Sequence, residues 1–142
     1  MSDKLTRAIT KDGFFKISAV VSTETAETAR KYHNSSPVAT AALGRLLSAG
    51  LLMGGELKED KAKLTLQISG DGPLGMLVVS ANSHGEVKGY ASNPQIDLPL
   101  KENGKLDVGG AVGKGVLSVI KDLCLKEPYV GQVQIQTGEI AE

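Results

Sequence analysis

Three glycines in the stretch ISGDGPLGML, residues 68–77, fall in the pattern G-x-G-x-x-G: Gly70, Gly72 and Gly75. That string can press backbone N–H groups against a pyrophosphate, but only where it leaves a strand and opens a helix. Here Gly75 leads into MLVVSA, a strand-like apolar run, and Pro73 removes one of the amide donors. The spacing therefore predicts a hairpin turn whose glycines supply positive φ. A second glycine-rich stretch, GGAVGKG at residues 109–115, fails as a phosphate loop. Val108 stands five residues before Gly113, and Gly115 follows Lys114 where a hydroxyl is required. It reads as another turn before a strand.

Other chemistry-bearing side chains form no constellation. Glu56, Glu59, Asp60 and Glu86 lie in polar turns, where solvation explains them better than acid–base work. Ser35 and Ser36 belong to a helix cap, and no nucleophile elbow is present. His33 and His84 are far apart and lack ligands at metal spacing. Cys124, the single cysteine, has no C-x-x-C partner and reads as a buried, inert thiol at the end of an apolar run. Arg45, alone in an apolar helix, reads as snorkelling or pairing at the helix edge. No catalytic, cofactor-binding or metal-binding residue is assigned, and the chain is read as not an enzyme.

Sixteen basic residues balance sixteen acidic ones, only three of the basic ones are arginine, and no run of like charge occurs. Nucleic acid is thus not an expected partner. Nor is a membrane, since no signal-like segment opens the chain and no apolar run is read as approaching the roughly 18 residues of a span. The expectation is a cytoplasmic protein with one domain, 1–142.

The elements follow from periodicity. KLTRAIT and FFKISAVV flank Asp12-Gly13 and read as a hairpin, with Phe15, Ile17 and Ala19 alternating against Phe14, Lys16 and Ser18. STETAETARKYHN reads as a helix capped by Ser22 or Thr23 and stopped at Asn34. Ser36 as N-cap and Pro37 at the first helical position then start a second helix, ended by Gly54-Gly55. In it Val38, Ala41, Ala42, Leu46, Ala49, Leu52 and Met53 recur at helical spacing while Ala39, Gly44 and Gly50 cover other faces, so it is expected to be central and buried. KLTLQIS and GQVQIQT alternate and read as half-buried strands. MLVVSA and GVLSVI are apolar on both faces, as central strands are, and EVKGYA is shorter. The fold class is α+β, a largely antiparallel sheet packed against helices. Gln67, Gln132, Gln134 and Gln136, with Thr65 and Ser69, are polar without charge; beside plain solvent exposure, they suggest a face in contact with another protein.

Three strings in order, HNSSPVATAALGRLLSAGLLMG, GDGPLGMLVVSANSHGEVKGYASNP and the closing GEIAE, closely resemble the heat-shock protein 33 family of redox-regulated 33-kDa chaperonins. The resemblance runs through essentially the whole chain. It implies a holdase that binds unfolding proteins under oxidative stress, with client proteins and a second copy in a homodimer as partners. It also implies that GDGPLG belongs to the sheet of the N-terminal domain. Family members are about twice as long, and their C-terminal part carries zinc on four cysteines, in a C-x-C and a C-x-x-C pair. None of these positions exists here, so zinc and the redox switch are carried over to no residue, Cys124 included. The chain is accordingly expected to be an expressed fragment, with a natural short protein as the alternative, and in either case the N-terminal client-binding and dimer-forming domain truncated at its C-terminal end. A small-molecule enzyme using the glycine-rich turns and an inert oligomerisation scaffold are the competing readings.

Overall fold

Pro37 opens helix α2 (Pro37–Gly54) after Ser36, whose hydroxyl accepts from the Ala39 N–H at 3.3 Å. This computed structural model describes residues 2–141. In α2 the stripe facing the core is wider than the spacing suggests. Val38, Ala42 and Leu46 are buried, as expected, but so are Ala39, Leu43, Leu47, Gly50 and Leu51, whereas Ala41, Ala49, Leu52 and Met53 are only half-buried. Glycine explains the difference. A Cβ on Gly50 would stand 2.8 Å from Val79, and one on Gly54 would stand 2.7 Å from the Asn82 carbonyl, so the helix lies against the sheet along these residues. The 18 residues of α2 also match a membrane span in length and composition, contrary to the expectation that no run would, yet half of that stretch is buried inside the fold.

The sheet beneath α2 is antiparallel throughout. Strands β3 (Lys63–Gly70), β4 (Met76–Asn82), β5 (Val87–Ala91), β6 (Gly115–Asp122) and β7 (Tyr129–Ile135) stand in the order β5-β4-β3-β6-β7. Alternation places Leu64, Leu66 and Ile68 of β3 beside Leu77, Val79 and Ala81 of β4, all buried under α2. Burying each such Leu or Ile contributes about 1.5–3 kcal/mol. The α+β class is observed as expected, with its core between α2 and the inner face of β3 and β4.

Outside this sheet, β1 (Lys4–Ile9) and β2 (Lys16–Val21) form a separate two-stranded hairpin. Helix α1 (Thr23–His33) follows and ends at Asn34, which takes the left-handed conformation at φ 48°. The expected capping differs in one respect. Ser22 occupies the N-cap position, but its hydroxyl bonds the Ser48 hydroxyl at 2.6 Å. The carboxylate of Asp3 caps the helix instead, accepting from the N–H groups of Glu24 at 2.9 Å and Thr25 at 2.7 Å. The Thr25 hydroxyl donates to it as well, and this bond chiefly holds the Asp3 carboxyl below its ordinary pKa.

The β3–β4 turn and the stretch before β6 dock on each other. Residues Val108–Val112 form a short helix, α3, capped by Asp107, so GGAVGKG is helix plus turn rather than turn alone. Only Gly75 of the three motif glycines has positive φ, at 76°. Gly70 and Gly72 are required for a different reason: a Cβ on either would collide with the Val112 or Ala111 carbonyl of α3.

Candidate functional site

The glycine-rich loops keep their amides for each other. Gly72 N–H donates to Val112 O, Leu74 N–H to Ala111 O and Asp71 N–H to Lys114 O, while Lys114 N–H donates to the Asp71 carboxylate at 2.7 Å. Donors used in this way are not aimed at a phosphate. The carboxylates named from the sequence are also kept apart. Glu56 pairs with Lys16 at 2.9 Å, a bond that holds its carboxyl below the ordinary range, and Asp60 meets His84 at 2.9 Å. Arg45 pairs with Glu139 at 2.7 Å, as its helix-edge position suggested.

Cys124 departs from expectation, being exposed rather than buried. Strand β6 ends at Asp122, so Cys124 falls in the turn that follows, with φ 63° and its N–H donating to the Asp122 carboxylate. No three His, Cys, Asp or Glu side chains among the described residues cluster closely enough to hold a metal. The described residues therefore offer no donor set that fits the zinc implied for the longer family members.

The polar face singled out from the sequence is contiguous. Along one cross-strand row, Tyr90, Val78, Gln67, Ser118 and Gln132 stand side by side across all five strands. The Gln132 amide donates to the Ser118 hydroxyl at 3.1 Å. The next row carries Met76, Ser69, Val116 and Gln134, and the row on the other side carries Lys88, Ser80, Thr65, Ile120 and Val130. Gln136 lies just past the end of β7 and is exposed. No residue of these three rows is buried, whereas Leu64, Leu66, Ile68, Leu77, Val79 and Ala81, on the other face of β3 and β4, all are. The result is a broad face of mixed apolar and amide side chains whose one charge in these rows, Lys88, sits at its margin.

GQVQIQT does not behave as a half-buried strand. Val133 stands on the helix side yet is 58% exposed, α2 packing chiefly on β4, β5 and β3. The opposite end of the sheet is covered. His33 of α1 donates its Nε2–H to the Gly89 carbonyl at 2.9 Å, closing one end of a groove of about 610 Å³ between α1 and β5 that Thr28, Ala29, Tyr32 and Val87 help to line.

A second apolar surface escaped the sequence reading. Phe14 and Phe15, the only two phenylalanines, are 82% and 68% exposed at the tip of the β1–β2 hairpin, beside exposed Ile9 and Ile17. The turn is held by its own bonds: the Asp12 carboxylate accepts from the Thr10 hydroxyl and the Phe14 N–H, and the Thr10 hydroxyl accepts from the Phe15 N–H. Alternation identified the strands but could not show that the hairpin projects beyond the core.

The described residues thus form an α+β domain with an uncharged sheet face and an exposed aromatic hairpin tip. The chain belongs to the family described as Hsp33 protein, whose profile matches residues 3–142. It is 57% identical over 142 residues to a 33 kDa chaperonin of Agathobacter rectalis, and 58% identical over 144 residues to one of Clostridium perfringens. Each match takes in 100% of this chain but 49% and 45% of those relatives, so the chain spans about half their length. The crystal structure of a 33 kDa chaperonin from Thermotoga maritima superposes with a TM-score of 0.90 at 43% identity, over 95% of this chain and 46% of that one.

Proposed function

We propose that this chain is the client-holding part of a cytoplasmic holdase chaperone, binding partly unfolded proteins through exposed apolar surface and preventing their aggregation. The observation that carries the reading is the pair of outward phenylalanines on a hairpin tip too well bonded to fold them away, in a chain that also leaves one whole sheet face uncovered. Family membership points the same way. Redox control belongs, in this reading, to the half of the relatives that this chain does not span, since Cys124 alone supplies neither a zinc site nor an internal disulfide. The face bearing Gln67, Gln132 and Gln134 is proposed as protein contact, either with a second copy in a homodimer or with the remainder of the longer protein.

The test is the aggregation of a chemically unfolded client in reducing buffer, with the mass of the chain recorded by light scattering. Suppression at several-fold excess of the chain is expected. A folded chain that leaves aggregation unchanged would overturn the reading and leave a scaffold. A nucleotide that raised the melting temperature specifically would favour the enzyme reading, against which the mutual bonding of the two glycine-rich loops speaks.

A further inference from the structure

Between β5 and α3 the chain closes a tight turn on itself. Lys101 N–H donates to Lys105 O and Gly104 N–H to Lys101 O, each at 2.8 Å. Inside that turn stands Asn103-Gly104, the one asparagine of the chain's four that a glycine follows. Asn103 is exposed, and its Oδ1 accepts the Lys105 N–H at 3.0 Å, which folds the side chain back over the intervening Gly104 nitrogen. Gly104 has φ 79°, and a Cβ built on it would meet nothing within 4 Å among the described residues. A ring forming there has room. The other asparagines lack this combination: Asn93 precedes Pro94, which has no N–H, and Asn34 and Asn82 precede serines, whose Cβ shields the nitrogen. Two aspartates also precede glycine, Asp12 and Asp71, but an ionised carboxylate repels a nucleophile. The Thr10 hydroxyl holds the Asp12 carboxyl below its ordinary pKa, and Gly72 is packed against the Ala111 carbonyl.

We infer that Asn103 is a site of spontaneous covalent modification, its side chain losing ammonia to the Gly104 nitrogen and ending as aspartate or isoaspartate. The Gly104 nitrogen gives its proton to a solvent base and bonds to Asn103 Cγ. The Cγ–Nδ2 bond breaks, and Nδ2 takes a proton from water and leaves as ammonia. Negative charge gathers on Oδ1 during the attack, where the Lys105 N–H already points. The cyclic imide then adds water. Opening at Cγ restores the main chain with aspartate at 103, whereas opening at the main-chain carbonyl routes the chain through the former side chain as isoaspartate. No oxidant and no enzyme is required, and nothing in this chemistry depends on client binding. The turn sets the pace, because the Gly104 N–H is freed only when its bond to Lys101 O opens. Either product places a new carboxylate near Lys101, whose Nζ stands 3.5 Å from the Glu139 carboxylate that it shares with Arg45. Isoaspartate also lengthens the main chain by a methylene, so the Lys101 and Lys105 backbone groups lose their register. The loop that leads to α3 thus keeps a record of the chain's age.

The experiment incubates the whole chain at neutral and at mildly alkaline pH, beside an end-capped peptide of residues 100–106, LKENGKL. Products are mapped by mass spectrometry with electron-transfer fragmentation, which separates isoaspartate from aspartate. Conversion at Asn103 is expected before any at Asn34, Asn82 or Asn93, and faster as hydroxide rises. It should run about tenfold slower in the folded chain than in the peptide, the turn bonds having to open first. Isoaspartate should be the larger product, since the ring carbonyl beside the nitrogen-bearing Cα is the more electrophilic. Asn103→Gln should remove this conversion from the chain and leave its circular dichroism unchanged. In the peptide, Gly104→Ala should slow it by placing a Cβ beside the nucleophile. A folded chain that keeps Asn103 intact while its urea-unfolded form converts overturns the assignment, because the turn is then a lock. Earlier conversion at Asn34 or Asn82 overturns it too. So does aspartate without isoaspartate, which is the mark of direct hydrolysis by water with no ring formed.

Discussion

The five-stranded sheet ends in β5 on one side and β7 on the other, and each end turns a row of backbone groups outward. At β5 these belong to Val87, Gly89 and Ala91, because Asn82 N–H bonds Glu86 O and Ser92 N–H bonds Met76 O in line with the β4–β5 register. Helix α1 lies along that edge, His33 takes up the Gly89 carbonyl, and Lys88 puts a charge on the strand. At β7 the described residues give a different picture: the strand carries no charged side chain, and Val130 and Val133 are 55% and 58% exposed on its two faces. The lesson is that the two ends of one sheet can be finished differently, one under a helix and a charge and the other by uncharged side chains alone.

Substitutions at paired positions sharpen this contrast. The largest effect is expected from Gly89→Ala in β5. Its Cβ would stand 2.7 Å from both the Val78 carbonyl and Val79 Cγ2, so urea unfolding should report a loss of about 1–3 kcal/mol. Next comes His33→Ala, which strips the Gly89 carbonyl of its donor. A loss of about 1 kcal/mol is expected, with faster amide exchange along β5 and none of that acceleration at β7.

A smaller effect concerns pH. The Asp3 carboxyl has its folded pKa lowered, by the Thr25 hydroxyl above all and by the two amides it caps. Its contribution is therefore complete above the ordinary carboxylate range and lost as the pH falls through the lowered folded value. Helical circular dichroism should decline over that acid window, and Asp3→Asn should flatten the decline while leaving the neutral-pH spectrum close to that of the parent. The smallest effect belongs to Gly131→Ala in β7, whose Cβ would have the movable Tyr129 side chain as its nearest neighbour, at 3.1 Å; a change below about 0.5 kcal/mol is expected. A large loss there would mean that β7 is as closely packed as β5, and the comparison would fail.

Local chemistry carried most of the elements into view. Ser36-Pro37 marked the start of α2, Asn34 the end of α1, and the alternation of Leu64, Leu66 and Ile68 the inner face of β3. What periodicity cannot report is which strands become neighbours. The pairing of β3 with β6 joins residues some fifty positions apart, and together with the β6–β7 pairing it puts Gln67 and Gln132 in one row. The same limit hid the Asp3 cap, supplied by a residue outside the helix, and the exposure of Cys124, decided by where β6 ends. It also hid the exposure of Val133, which depends on how far α2 reaches.

The placement of the tyrosines has a spectroscopic consequence. With no tryptophan in the chain, its ultraviolet emission comes from Tyr32, Tyr90 and Tyr129, all exposed: one beside the α1–β5 groove, one on the uncovered sheet face, one on β7. Replacing them with phenylalanine one at a time turns each surface dark in turn, so a tryptophan-free client that quenches the glow identifies where it has landed.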